Sequence, residues 1–243
     1  MMGNVAAAPG ETGVINCDFV PIFDHRHDKF DTLYCFPKMT KADGSLVADD
    51  ALLGEGSGGR VVNEKLLIKN MEGTLQAGMQ KAKQIAASGE DIKIIIPING
   101  LALLVKAVAV EFSNICRPLD DAVRQAVIFE VTNIVDVNRM SFLDDIAIVL
   151  FPFCLTYGMR VLPSMRDFSI CATCNYSGVA LDLKNKPWPA KDVGAHLTNF
   201  AKATEANRLK AYVHGIATPE LMAAAIEAGV RFIDGAAVKG PGQ

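Results

Sequence analysis

The stretch Leu209–Pro241, LKAYVHGIATPELMAAAIEAGVRFIDGAAVKGP, contains a complete strand–helix–strand unit. The apolar run Leu209–Val213 predicts a strand, which ends in a His-Gly pair that begins with His214. A Thr-Pro-Glu sequence then gives a helix start, and the helix is predicted over Pro219–Ala228. The run Arg231–Ala236 predicts the next strand. Two strands joined by a single helix favour parallel pairing with a right-handed crossover.

The same unit repeats along the upstream chain. Apolar runs rich in β-branched residues predict strands at Ile92–Ile98, Val127–Thr132, Gly158–Met165 and Gly178–Leu183. Amphipathic or capped segments predict one long or two short helices over residues 61–87, and single helices over Leu101–Phe112, Ser141–Tyr157 and Ala190–Ala206. Before them, Asp18–Phe23 and Thr32–Phe36 predict two strands joined by a hairpin-like loop. Repeated units of this kind are typical of a (β/α) barrel or of an open, doubly wound sheet.

Two features favour the barrel. The length of 243 residues suits one (β/α) barrel, and no strand is followed by the Gly-x-Gly-x-x-Gly of dinucleotide-binding sheets. Residues 1–14 are predicted to form a flexible N-terminal tail, so a single barrel domain covers residues 15–243. Within it, GEGSGG at residues 54–59 is interpreted as a linker, because no strand precedes it and no Gly-Lys-Ser/Thr completes a phosphate loop.

Composition excludes several classes of protein. The formal net charge of −3 gives no basic footprint for nucleic acid. No run reaches the roughly 18 apolar residues of a membrane helix, and the first residues lack the pattern of a secretory signal. We therefore predict a cytoplasmic protein. Its six cysteines are expected to be free thiols, and Cys171-x-x-Cys174 lacks the second ligand pair of a zinc site.

Chemistry in a (β/α) barrel is placed where the strands end. The predicted strand ends carry four groups that could act together, namely Glu130, Asp182, His214 and Asp234. A metal-dependent hydrolase needs several such ligands converging on one point. Between them lie residues that offer no ordinary metal ligand, namely Tyr34, Pro97, Met165 and Ala180. The residues alone therefore leave open whether a site is assembled here.

In order and spacing, these segments resemble the EAL family, the bacterial phosphodiesterase domains that cleave cyclic di-GMP. The C-terminal stretch is similar to the family's last motifs, with these positions in register: Gly215, Thr218, Leu221, Gly229, Gly235, Gly240 and Pro241. VIFEVTN at Val127–Asn133 is similar to the family's Glu-x-Thr-Glu strand. GMRVLPSM at Gly158–Met165 lies where the family has a strand ending in Asp-Asp-Phe-Gly. DFVPIFDHRHDKFDTLYCFPK at Asp18–Lys38 has the spacing of the segment leading into Glu-Ala-Leu. The resemblance spans about Asp18–Pro241 and implies a modified TIM-type (β/α) barrel.

The resemblance also implies which positions should carry out the chemistry, and most of them differ. The family's metal-ligand positions fall on Tyr34, Pro97, Ser164 and Met165. Other family residues are replaced as follows: the phosphate-contacting Arg by Lys38, the second Glu of Glu-x-Thr-Glu by Asn133, the catalytic Lys by Ala180, a Glu by His214 and a Gln by Asp234. Two carboxylates, Glu130 and Asp182, are retained.

These losses imply a catalytically inactive domain. Without the family's two divalent cations, no bound water is acidified and the leaving oxygen is not stabilised. We therefore predict no metal, no cofactor and no hydrolysis of cyclic di-GMP. The predicted role is that of a cytoplasmic bacterial signalling or regulatory protein that acts through an unidentified protein partner, with homodimerisation left open. The apolar segment FLDDIAIVLFPFCLTYG at residues 142–158 is interpreted as a core helix, some of whose aromatic side chains could serve an interface.

Two alternatives remain. The first is a receptor that binds cyclic di-GMP without cleaving it, using Tyr34, Phe36, Lys38 and Arg166. The loss of the phosphate-contacting Arg argues against such binding. The second is a divergent enzyme that uses Glu130, Asp182, His214 and Asp234 for another reaction.

Overall fold

The computed structural model describes residues 13–41, 43–48, 52, 64–134 and 140–240. Residues 1–12 of the predicted tail, and the predicted linker at residues 54–59, lie outside the described residues. Gly13 and Val14, which the sequence places in the tail, instead begin the first strand. The tail prediction was therefore wrong for these two residues.

Strands and helices alternate after an initial antiparallel hairpin. The described strands are β1 (Gly13–Asp24), β2 (Lys29–Lys41), β3 (Leu46–Ala48), β4 (Lys93–Asn99), β5 (Val127–Thr132), β6 (Thr156–Arg160), β7 (Gly178–Asp182), β8 (Lys210–His214) and β9 (Phe232–Ile233). The described helices are α1 (Glu64–Ser88), α2 (Gly100–Leu103), α3 (Lys106–Cys116), α4 (Asp121–Ala126), α5 (Met140–Leu150), α6 (Ser169–Thr173), α7 (Ala190–Ala206) and α8 (Pro219–Glu227). None of these helices is long and apolar enough to cross a membrane.

Eight of the described strands close into a barrel in the order β1-β9-β8-β7-β6-β5-β4-β2, and β2 pairs again with β1. The pairings from β2 through β9 are parallel. Strand β1 runs antiparallel to both of its neighbours. The short strand β3 pairs with Lys38–Thr40, in the part of β2 that lies past its pairing with β4. The predicted modified (β/α) barrel is confirmed, with one antiparallel strand.

Apolar side chains fill both the barrel and the space around it. Between strands and helices, Phe112 packs edge-on against Phe129 with ring centroids 5.3 Å apart. A second apolar cluster consists of Ile22, Tyr34, Ile95, Ala180, Tyr212 and Phe232, all of which lie on barrel strands. Packing of this kind makes the barrel a solid core rather than a pore. Polar groups at the carboxyl ends of the strands then form the layer above it.

An ion pair reinforces the closure of the barrel between β1 and β9. Backbone pairing there joins Phe23 to Ile233 and Asp24 to Phe232. The Arg231 guanidinium adds hydrogen bonds to both carboxylate oxygens of Asp24, at 2.7–3.1 Å. Burial alone would raise the pKa of Asp24, but the hydrogen bonds from Arg231 and His27 hold this pKa well below its ordinary value.

Two predicted helices differ from the structure, one in its end and the other in its continuity. The helix predicted over Ser141–Tyr157 ends at Leu150, and Tyr157 lies inside β6. The helix predicted over Leu101–Phe112 is divided into α2 and α3. In α2 the Asn99 side chain accepts a hydrogen bond from the backbone of Ala102 at 2.9 Å, which is an N-cap contact.

The strand predicted over Gly158–Met165 was also placed too far along the chain. It starts at Thr156 and ends at Arg160. Ser164 and Met165 therefore follow the strand by several residues, in the loop that leads to α6. Their predicted position at a strand end was wrong.

Candidate functional site: a buried ion cluster at the barrel mouth

Six side chains meet at the carboxyl end of the barrel and form what we call the mouth cluster: Tyr34, Glu130, Arg160, Asp182, His214 and Asp234. Five of them lie on β2, β5, β6, β7 and β8, and Asp234 follows β9 directly. Parallel strands bring these positions together because their carboxyl ends share one rim of the barrel. Except for Asp182, whose side chain is 10% exposed, all of the residues are buried.

Arg160 is the central cation of the mouth cluster, although its side chain is only 5% exposed. Its Nε and Nη2 atoms lie 3.0 and 2.8 Å from Oε1 of Glu130. Its Nη1 atom lies 3.2 Å from Oδ2 of Asp182. The guanidinium also donates a hydrogen bond to the Tyr34 hydroxyl. A buried arginine is tolerated only when it is paired and hydrogen-bonded in this way.

His214 lies between two carboxylates. Its Nε2 atom is 2.8 Å from Oε2 of Glu130, and its Nδ1 atom is 2.5 Å from Oδ2 of Asp234. Only the doubly protonated imidazolium can donate to both acceptors at once. The Tyr34 ring covers the imidazole with ring centroids 4.8 Å apart. His214 is therefore a fully engaged cation rather than an exposed base.

Two glycines bring His214 and Asp234 together. The loop after β8 and the loop after β9 touch, and the backbone amide of Gly215 donates to Oδ1 of Asp234 at 3.1 Å. Gly235 has φ of +133°, and a Cβ there would lie 2.2 Å from the amide nitrogen of Ile216. Gly215 also has a positive φ, of +72°. A side chain at Gly235 would push these two loops apart, and one at Gly215 would instead strike the loop after β7, where the amide nitrogen of Asn185 would lie 2.6 Å from its Cβ.

The charges of the mouth cluster are balanced when the neighbouring Lys184 is included. Glu130, Asp182 and Asp234 face the cations Arg160 and His214, and the Lys184 ammonium lies 3.0 Å from Asp182. Burial alone would raise the pKa of Glu130, but the positive charges of His214 and Arg160 hold this pKa below its ordinary value. Burial alone would also raise the pKa of Asp182, but the positive charges of Arg160 and Lys184 lower this pKa to about 2.

The imidazole of His214 responds in the opposite direction. Burial alone would lower the pKa of His214, but the carboxylates of Asp234 and Glu130 raise this pKa well above its ordinary value. Near neutral pH Glu130, Asp182 and His214 are therefore ionised, and each of them faces an opposite charge. Each of these charges would be costly to bury alone, and here each is compensated by a neighbouring side chain of the protein.

Solved structures with the same architecture identify the fold. The chain matches the structure of the EAL enzyme Bd1971 in its cGMP-bound form, with a TM-score of 0.70, 12% identity, and coverage of 91% of this chain and 61% of that chain. It matches the FimX EAL domain from Pseudomonas aeruginosa bound to c-di-GMP, with a TM-score of 0.69, 12% identity, and coverage of 93% and 90%. The chain has the EAL-type fold. Neither a protein-family model nor a curated protein matches its sequence.

A third match is the Bacillus subtilis YkuI protein, with an EAL domain, in complex with substrate c-di-GMP and calcium. Its TM-score is 0.67 at 11% identity, with coverage of 91% of this chain and 53% of that chain. The chain therefore spans only part of the Bd1971 and YkuI chains that it matches. Identities this low establish the EAL-type fold and leave the chemistry to be argued from the side chains.

The EAL-type fold brings five of the predicted site residues together in the mouth cluster: Tyr34, Glu130, Asp182, His214 and Asp234. Two other predicted positions lie beside it on the same strands. Pro97 on β4 is the backbone neighbour of Glu130, and Ala180 on β7 packs in the second apolar cluster described above. Asn133 follows β5 directly in a left-handed conformation, with φ of +56°.

The remaining predicted positions do not contribute to the mouth cluster. Lys38 lies four residues beyond Tyr34 on β2, and its ammonium pairs with Asp18. Ser164 is exposed and Met165 half-buried in the loop after β6. Neither supplies a ligand at the positions that the family resemblance implied.

Arg160 is the residue that the strand-end reading of the sequence missed. It lies in the apolar run TYGMRVL, where a charged side chain in a predicted strand is a signal for a buried ion pair. Lys184 was missed for a different reason, since it lies two residues beyond β7 and reaches back to Asp182. Both missed residues are cations, and both bind carboxylates that the sequence had suggested as candidate ligands.

The cysteines take no part in the site. All six are free thiols, as predicted, and five of them are buried. Burial raises the pKa of both Cys171 and Cys174 to about 12. A reactive or redox-active cysteine needs a lowered pKa, so this pair lacks the basis for thiolate chemistry.

The ionised histidine predicts how stability depends on pH. Because the folded-state pKa of His214 is raised, its contribution is complete below about pH 6.5 and is lost as the pH rises through the folded-state value. We expect unfolding free energy to fall above pH 6.5, by at most about 1.4 kcal/mol per pH unit. Urea unfolding between pH 6 and 9 measures this slope. The variant His214→Gln should flatten it, and an equal slope in the variant would contradict the assignment.

Proposed function

We propose that this EAL-type domain is catalytically inactive and acts as a regulatory protein through contact with a protein partner. One observation carries the proposal. The oxygens of Glu130 that a metal would use are occupied by Arg160 and His214, at 2.8–3.0 Å. Two side-chain cations thus take up the negative charge that the resembled family offers to metal ions.

The residues present do not fit the two divalent cations of the resembled family. Hard cations require several converging oxygen ligands, but Pro97 has no side-chain oxygen and Ser164 is exposed in a loop. A cation placed beside Glu130 would also lie next to the positive charges of Arg160 and His214. Among the described residues, no group of three or more His, Cys, Asp and Glu side chains could hold a metal ion. We therefore derive no hydrolytic step for this chain.

The surface of the domain supports a role in protein contact. Ile148, Phe151 and Leu155 lie within eight residues of one another and are 70%, 73% and 72% exposed. Large exposed apolar side chains that occur close together are typical of interaction surfaces. Of the aromatic residues in the apolar segment, Tyr157 is buried, Phe153 packs against Phe112 and Phe142 is half-buried, whereas Phe151 is mostly exposed and can serve an interface.

The alternative, a receptor for cyclic di-GMP, has less support. The contacts it would need are engaged elsewhere: Tyr34 is buried under Arg160, and Lys38 pairs with Asp18. The Arg166 guanidinium donates to the backbone carbonyls of its own loop, at Pro163 and Met165. Titration calorimetry with cyclic di-GMP distinguishes the two roles, since binding in the micromolar range would favour the receptor. The second alternative, a divergent enzyme, also has less support, because its four candidate groups are all paired within the mouth cluster.

A comparison of two surface variants tests the protein-contact role. We expect tagged wild-type protein to capture a specific set of proteins from a bacterial cytoplasmic extract, in line with the predicted location. Phe151→Ser should lose them, because it removes the large apolar side chain with the highest exposed fraction among the described residues. Leu162→Ser, at a residue that is 48% exposed in another loop, is the matched control and should retain them. Identical capture by both variants and wild type would count against this surface.

A further inference from the structure

A basic pocket lies at the opposite end of the barrel from the mouth cluster. It is a cavity of about 250 Å³ between the C-terminal turn of α7, the start of β8 and the turn after α8. Its charged lining residues, which define the basal pocket, are Arg26, Lys202, Glu205, Arg208, Lys210 and Arg231. Five of these six are basic, in a chain whose formal net charge is −3.

Several charges of the basal pocket are not neutralised by the protein. Arg231 is paired with Asp24. Arg26 and Glu205 approach to 3.9 Å with side chains that are both more than half exposed, so this pair is weak. Within the described part of the chain, the Lys202 and Arg208 side chains have no hydrogen bond or ion pair.

Lys210 is a further cation in the lining of the basal pocket. Burial, followed by the positive charge of Arg231, lowers the pKa of the Lys210 ammonium. The acids near it are already engaged, since Asp31 pairs with Lys29 and Asp24 pairs with Arg231. Among the described residues Lys210 has no ion pair, so it is a third unpaired cation of the pocket beside Lys202 and Arg208.

The ends of two helices offset part of this charge. Helices α7 and α8 end beside the pocket, at Ala206 and Glu227. Each C-terminus carries the equivalent of about half a negative charge. Once these and the two acidic partners are counted, roughly two positive charges remain. Helix capping thus explains some of the basic residues and leaves a surplus that matches a dianion.

We propose that the basal pocket binds the phosphoryl group of a small phosphorylated molecule. Arg208 offers a planar fork of donors that suits phosphate oxygens, while Lys202 and Lys210 act as point charges. A concave cavity of about 250 Å³ suits a small ligand rather than a polymer, whose binding surface would be extended. This proposal does not depend on the inactive mouth cluster, which lies at the other end of the strands.

An NMR titration of the full chain with inorganic pyrophosphate, at ionic strength held constant with NaCl, tests the proposal. We expect saturable shifts of the backbone amides of Leu209, Lys210 and Gly229. Arg208→Gln should raise the dissociation constant at least about tenfold, since it removes charge-assisted hydrogen bonds. Arg117→Gln, at an exposed arginine on α3's C-terminal side, is the matched control and should stay within about twofold of wild type.

A second variant guards against misfolding of the first. Lys202→Gln changes an exposed position on α7 and should also weaken binding, with the rest of the spectrum unchanged. Glutamate added at the same ionic strength should produce no saturable shift. Shifts that do not saturate, equal affinity in the Arg208 and Arg117 variants, or equal shifts with glutamate would each overturn the proposal.

Discussion

Replacing Arg160 by Met is expected to lower the free energy of unfolding by about 3–5 kcal/mol, which is the usual cost of leaving a buried charge unpaired. The change removes one of the two cationic partners of Glu130, whose carboxylate lies 2.8–3.0 Å from the guanidinium. It also removes the contact of Asp182 at 3.2 Å and the donor to the Tyr34 hydroxyl. Methionine keeps much of the aliphatic volume, so the loss reports on charge rather than on packing.

The matched control is Lys184→Met. Lys184 pairs with the same carboxylate, Asp182, at 3.0 Å, but its side chain is 34% exposed. Water compensates for such a loss, so we expect a change below about 1 kcal/mol. Denaturant unfolding of both variants measures the difference.

A double-mutant cycle isolates the Arg160–Glu130 pair. Adding Glu130→Gln to Arg160→Met removes the stranded charge, and we expect a coupling energy of about 1–3 kcal/mol. If Arg160→Met is no more destabilising than Lys184→Met, the buried ion cluster does not have the stabilising role described here.

The architecture could be predicted because local signals and the global fold agree. Val127–Thr132 and Ala190–Ala206 have the predicted bounds, and each is followed by a clear change of pattern. The sequence at residues 142–158 shows no change of hydrophobic pattern that would mark the end of a helix. It is apolar almost throughout, so neither the helical nor the strand period is visible, and the end of α5 at Leu150 could not be read from it.

The candidate site could be predicted in part. Glu130, Asp182, His214 and Asp234 were expected at one rim because they end parallel strands, and the structure joins all four through Arg160 and His214. The sequence could not show whether these carboxylates bind a metal ion or pair with cationic side chains of the protein. Carboxylates at a rim suggest metal ligands until the buried cation among them is located, and that location depends on where β6 ends.

Purified protein is expected not to hydrolyse cyclic di-GMP. In two-metal hydrolysis the cations acidify the attacking water and stabilise the leaving oxygen. Here a cation at Glu130 would have to displace Arg160 or His214, and displacing either one leaves a buried charge unpaired. The expected loss of rate is therefore essentially complete, and it does not depend on which divalent ion is supplied.

The most direct test is incubation of the pure chain with cyclic di-GMP and either Mg²⁺ or Mn²⁺, followed by chromatographic detection of the linear dinucleotide. A phosphodiesterase with demonstrated activity on cyclic di-GMP is the positive control. We predict no product above the blank without protein. Metal-dependent linear dinucleotide that rises with protein concentration would contradict the account.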